Sequence, residues 1–151
     1  MNKDAKKIYL GVYGICLLGD KVLVIKKSRG PYFGKFDLPG GGLNFEETVS
    51  ECLARELMEE TNTKIKKDEL MGINEYQCQY EEEKGVIKDF HHIGIYFRVD
   101  LEIDKLKIEP DGQDSEGALF IDITELTSNN TSPIALPMIM RAKDMLGFFH
   151  K

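Results

Sequence analysis

The sequence predicts an α/β protein in which a mixed β-sheet is covered by helices. Three observations carry this. Short runs rich in β-branched and aromatic residues lie both before and after one strongly marked central helix. An amphipathic stretch closes the chain, and no internal repeat or low-complexity tract interrupts it. With 151 residues, 30% charged and 42% hydrophobic, the chain has the length and balance of one compact domain, expected over residues 1–151.

The elements follow in order. After a polar start, Ile8 to Leu18 (IYLGVYGICLL) reads as a buried strand; it is the most apolar run, yet short of the roughly 18 residues a membrane span needs. Gly19-Asp20 then joins it to KVLVIKK, the pattern of a hairpin. Ser28 to Gly42 (SRGPYFGKFDLPGGG) holds most of the local Gly and Pro signals, so a long loop with one short strand around Lys35 to Leu38 is expected. Thr48 and Glu51 form a T-x-x-E capping box, which starts a helix near Val49. Val49, Leu53 and Leu57 make its apolar stripe, and Asn62, tolerant of the left-handed conformation, ends it. Leu70 to Tyr80 and Phe90 to Ile103 read as strands separated by the charged connection Glu81 to Asp89. Ala118 to Ile123 is a further strand after the acidic loop Glu109 to Glu116, and a helix starting near Pro137 ends the chain.

Composition removes several function classes. Cys16, Cys52 and Cys78 are odd in number and widely spaced, which suggests neither a disulfide framework nor a zinc pair and points to a reducing cytoplasm, each thiol read as a small buried hydrophobe. A net charge of −6 argues against wrapping a nucleic-acid backbone. No membrane segment is expected. An anionic small molecule is admissible if cations intervene. Oligomeric state is not legible, and a homodimer is compatible with everything above.

The central helix gathers Glu56, Glu59 and Glu60 within a face about 100° wide. Taken alone, E-x-x-E-E is most commonly a solvated acidic face. Its surroundings are specific, however: Gly41, five residues, Glu47, seven residues, Arg55-Glu56-Leu57, one residue, Glu59-Glu60, all behind Leu38-Pro39-Gly40-Gly41. Carboxylates three and four positions apart supply hard oxygens suited to Mg²⁺ or Mn²⁺, which also bridge phosphate oxygens. Glycines in front of them let the backbone approach a metal or phosphate closely.

This spacing resembles the Nudix box, G-x5-E-x7-R-E-U-x-E-E-x-G-U, where U is aliphatic. Asn62 and Thr63 depart from it, standing where the family has Gly and an aliphatic residue. Neither change removes a carboxylate. The resemblance implies a Nudix-type α/β/α sandwich with a mixed sheet. It also implies a metal set of the Gly41 carbonyl with Glu56, Glu59 and Glu60, while Arg55 and Glu47 hold the loop-helix-loop in shape. Glu56, Glu59 and Arg55 form the expected catalytic group, with Glu56 the first choice for handling the attacking water.

Weaker signals surround the box. Lys26, Lys27 and Arg29 leave the second strand towards the pre-box loop, where Lys27 and Arg29 are candidates for phosphate binding. Tyr32 and Phe33 are candidates for stacking on a base, with core packing or loop anchoring the commoner role; Phe33 is taken as the binding candidate. His91 and His92 must point to opposite faces of a strand, which disfavours a two-His ligand pair. Asp111, Asp114 and Glu116 are candidates for an added ligand or base. The expected activity is Mg²⁺-dependent cleavage of a diphosphate linkage in a nucleoside diphosphate linked to X. A nucleoside triphosphate leads; ADP-ribose or a capped RNA end fits the size equally, the RNA end being the weaker because no basic groove is evident. The alternative is a nucleotide sensor of the same fold without turnover, against which the three intact glutamates count.

Overall fold

The computed structural model describes residues 6–106 and 115–149, and the side chains of 6–106 and 117–145. Among the described residues eight strands and two long helices run β1 (Lys6–Ile15), β2 (Leu17–Leu18), β3 (Lys21–Lys27), β4 (Phe36–Asp37), β5 (Gly40–Gly42), α1 (Val49–Thr61), β6 (Lys64–Glu83), β7 (Val86–Glu102), β8 (Ser115–Asp122) and α2 (Leu136–Phe149). One sheet has the order β5-β1-β7-β6, with β1 parallel to β7 and the other pairs antiparallel. In the second, β3 pairs antiparallel with β2 and β4 and also with β8.

Period-2 alternation decides which helix each strand residue meets. In β1, Val12 packs with Leu53 and Leu57 of α1, while Tyr13 and Ile15 join Met138, Ile139 and Ala142 of α2. In β3, Leu23 and Ile25 take the α1 side, and Val22 and Val24 the α2 side. The result is the α/β/α sandwich with a mixed sheet that the sequence predicts.

Helix α1 begins and ends where its local signals place it. Thr48 accepts from the Glu51 amide, Glu51 reaches back to the Thr48 amide, and both halves of the capping box are present. Asn62 caps the other end at φ 55° and ψ 40°, and its side chain donates to the Lys105 carbonyl at 3.0 Å. The hairpin through Gly19-Asp20 is present, with Leu18 opposite Lys21.

Three expectations need correction. The run Ile8 to Leu18 is not one buried strand: it breaks at Cys16 between two sheets, and Ile8 is 72% exposed because β1 runs past the core beside β7. The Gly40–Gly42 segment, expected as loop, is an edge strand held by its register on β1, with Gly40 opposite Tyr13 and Gly42 opposite Gly11. Glu81 to Asp89 is mostly strand, since β6 and β7 continue to a turn at Lys84-Gly85; cross-strand pairing overrides the polar composition. Asp111 and Asp114, like the side chain of Glu116, lie outside the described residues.

Candidate active site

Strand β5 joins the two halves of the site. Pairing with β1 lays Gly41 directly against α1, where an ideal Cβ on Gly41 would stand 2.6 Å from the Glu56 carboxyl carbon and 2.7 Å from both its oxygens. The glycine therefore makes the cradle in which the carboxylate sits. Gly40 faces the other way: a Cβ there would strike the Val12 carbonyl and Tyr13, and its φ of 146° suits glycine alone.

Arg55 organises the carboxylates. Its Nε donates to Glu47 Oε2 at 2.9 Å and its Nη2 to Glu47 Oε1 at 2.7 Å, a bidentate pair. The remaining donors reach the Gly42 carbonyl at 3.0 Å, Glu56 at 2.8 Å and Glu59 at 3.2 Å. One guanidinium thus ties loop, strand and helix together. This bond from Arg55, followed by one from the Asn44 amide, holds the Glu47 carboxyl down at about 2, so it stays ionised. Cys52 lies behind the same glycines, its Sγ 3.5 Å from the Gly42 carbonyl, and burial pushes its thiol up to about 12. That excludes a resting thiolate nucleophile.

The three box glutamates are spread rather than gathered. Glu56 touches β5, Glu59 points outward with its side chain 56% exposed, and Glu60 is only 3% exposed. Among the described residues no three His, Cys, Asp or Glu side chains converge as a ready metal cluster. The donor chemistry nevertheless fits a hard cation: carboxylates and the carbonyl of Gly41, on a strand of glycines that carries no side chain of its own.

On the opposite face of β5 lies a cavity of about 520 Å³, within the range of ligand sites. Gly40 and Gly41 form one wall; Lys7, Lys27 and Arg29 supply positive charge, and Asp37 with Glu81, Glu82 and Glu83 supplies negative charge. Its floor is aromatic, from Tyr9, Tyr13, Tyr32, Phe90 and His92. His92 sits edge-on to Tyr9 and Phe90, with centroids 5.4 and 5.6 Å away. The cavity wall therefore brings Lys27, Arg29 and Gly41 together, while Glu56 is not part of that wall and meets Gly41 from the α1 side. Phe33 is not brought there: it is 68% exposed and outside the cavity wall, and its neighbour Tyr32 is the buried one.

His91 and His92 do point oppositely, His91 to Glu75 at 3.1 Å and His92 into the floor. Sequence reasoning missed Tyr13 and His92 as site residues. Neither belongs to a local motif, and 79 positions separate them. A second cavity of about 740 Å³, beside Ile8, Gln77 and His91, includes no residue of the glycine-glutamate spacing.

The family model described as NUDIX domain matches residues 9–141. The chain is 35% identical over 131 residues to an ADP-ribose pyrophosphatase of Methanocaldococcus jannaschii, covering 83% of this chain and 72% of that protein. Among solved structures, a MutT NUDIX hydrolase from Burkholderia pseudomallei is similar with a TM-score of 0.70 at 18% identity, over 89% of this chain and 97% of that one. The NUDIX domain of Shewanella oneidensis NrtR, solved in complex with ADP ribose, also scores 0.70, at 17% identity, over 97% of this chain and 94% of that one. At these identities the structural likeness speaks for the fold alone.

Proposed function

Since this chain belongs to the Nudix family and is a Nudix pyrophosphohydrolase, we propose that its substrate is a nucleoside diphosphate linked to a sugar, with ADP-ribose the first to test. The observation that carries this reading is the juxtaposition across β5: an aromatic cavity of nucleotide size, with Lys27 and Arg29 in its wall, on one face and the Arg55-ordered carboxylates on the other. The relative from Methanocaldococcus jannaschii supports ADP-ribose over the nucleoside triphosphate that the sequence alone places first.

In this reading Lys27 and Arg29 hold the diphosphate, and the aromatic floor receives the base. Glu56 orients a water and accepts its proton. The new bond joins the water oxygen to one phosphorus, and the bridging P–O bond breaks, so ADP-ribose yields AMP and ribose 5-phosphate. Nudix hydrolases generally use divalent metal ions; here Glu59, Glu60 and the Gly41 carbonyl, with Glu56, would hold one, and Mg²⁺ is proposed, Mn²⁺ being the alternative. Such an ion supplies neutralisation of the phosphate charge. Arg55 and Glu47 act by fixing β5 against α1. The protein is proposed to work as a single domain in the cytoplasm; among the described residues no helix is long and apolar enough to cross a membrane.

The test is hydrolysis of a panel of nucleoside triphosphates, dinucleotides and nucleotide sugars with Mg²⁺. The reading expects ADP-ribose to give the highest kcat/KM. Triphosphates ranking above every diphosphate sugar would overturn the substrate, and no turnover across the panel would favour the sensor.

A further inference from the structure

Tyr13, His92 and Tyr32 form a buried chain on the cavity floor, 5%, 2% and 4% exposed. The Tyr13 hydroxyl oxygen stands 2.6 Å from His92 Nε2, and that of Tyr32 stands 2.9 Å from Nδ1. Burial, with Lys27 second, lowers His92 to about 4, and burial raises both phenols far above their usual value. All three groups are therefore neutral near pH 7. A neutral imidazole has one N–H and one lone pair, so one tyrosine must donate to it and the other must accept. The shorter separation fits Tyr13 O–H as donor to Nε2 and the longer one fits Nδ1–H as donor to Tyr32, because an O–H donor sits closer to its acceptor than an N–H donor does. This is the tautomer on which the proposal rests, and in it Tyr32 keeps its own proton. No other described residue hydrogen-bonds that hydroxyl.

We propose that Tyr32, oriented by the Tyr13–His92 relay, is a specificity residue whose single O–H donor binds an acceptor on the nucleobase of the ligand. This rests on the nucleotide reading of the cavity. The Tyr32 and His92 rings are stacked, 5.6 Å apart and tilted by 25°, within an aromatic floor suited to a planar base. The phosphates are matched by the charged Lys27 and Arg29, which leaves the neutral donor for the base. Tyr32 also anchors the loop that carries Arg29, since its carbonyl accepts from the Lys35 amide.

The test is calorimetric titration of the wild type and Tyr32→Phe with two probes, AMP and ribose 5-phosphate. Losing one hydrogen bond should weaken AMP about 3- to 10-fold and leave ribose 5-phosphate within about twofold. KM for ADP-ribose should rise by the same factor as AMP weakens, with kcat nearly constant. Tyr13→Phe, which removes the donor to Nε2, should weaken AMP in the same direction. Unchanged AMP affinity in Tyr32→Phe, equal weakening of both probes, or no AMP binding by the wild type would each overturn the proposal. AMP selectivity of the expected kind in a protein that hydrolyses no diphosphate would sink the proposed function and leave this inference standing. Should Tyr32→Phe fail to fold, ¹⁵N NMR of wild-type His92 decides: a protonated Nδ1 perturbed by AMP is expected, and a protonated Nε2 contradicts the relay.

Discussion

Arg55 grips Glu47 with two parallel hydrogen bonds of 2.7 and 2.9 Å and spends its remaining nitrogen on Glu56 and Glu59. The pair fastens the loop before α1 to the helix, eight positions apart. Arg55→Ala should lower both the melting temperature and kcat/KM, the latter by about tenfold or more, equivalent to ~1.4 kcal/mol. Arg55→Lys should recover little, because an ammonium cannot reproduce the planar fork. Loss of activity with an unchanged melt would mean that Arg55 touches the substrate instead of shaping the site.

Neighbouring glycines should fail for different reasons. In Gly41→Ala the new methyl meets the end of the flexible Glu56 side chain, which can swing aside at small cost to folding. Turnover should fall about 100-fold while the melt moves little, since a displaced carboxylate no longer handles the water. In Gly40→Ala the methyl meets the Val12 carbonyl and the Tyr13 backbone at positive φ, so stability should fall first. Thermal melts with steady-state kinetics check both; similar behaviour of the two variants would contradict the cradle.

Much of the fold was legible because its signals are local. Thr48, Glu51 and Asn62 mark a helix within a few residues of themselves, and the structure places its ends there. The Gly19-Asp20 hairpin is equally local. Strand β5 was not legible, because Gly-Gly-Gly has no side chains to show a period and becomes a strand only through pairing with Gly11 to Tyr13. The long β6–β7 hairpin hides for a related reason: Glu81 to Glu83 are polar, and their strand state comes from partners in β7. In the site, the glutamate spacing lay within one helix, whereas the Tyr13–His92–Tyr32 floor is assembled from positions 60 and 79 apart. Tyr32 is buried and Phe33 exposed, a difference the sequence does not show, because nothing local tells which of two adjacent aromatics turns inward.

Acidification should expose the buried histidine. Because the folded protein holds His92 at about 4, below its ordinary 6.5, the unfolded chain binds the extra proton first as pH falls. Stability from this group is complete above about 6.5 and is lost as pH drops through 4, by a few kcal/mol, roughly 3 at most. Glu47, held at about 2, adds its own loss only below its ordinary 4.5. Chemical denaturation between pH 4.5 and 7 should show a slope that His92→Gln flattens. A wild type equally stable across that interval would contradict a neutral buried His92.

Glu60→Gln keeps shape and removes charge at a position only 3% exposed. Turnover should fall by about two orders of magnitude or more, ~2.7 kcal/mol of transition-state stabilisation, while the metal-free melt stays nearly constant. Glu59→Gln, on a largely exposed side chain, should cost less. Near-normal turnover in Glu60→Gln would mean that the buried Glu60 carboxylate takes no part in turnover.

The most direct measurement is the rate of ADP-ribose hydrolysis by chelator-treated protein as Mg²⁺ is returned. The account predicts no AMP formed in excess chelator, and saturable recovery of AMP and ribose 5-phosphate as Mg²⁺ rises. Full hydrolysis in excess chelator would contradict it.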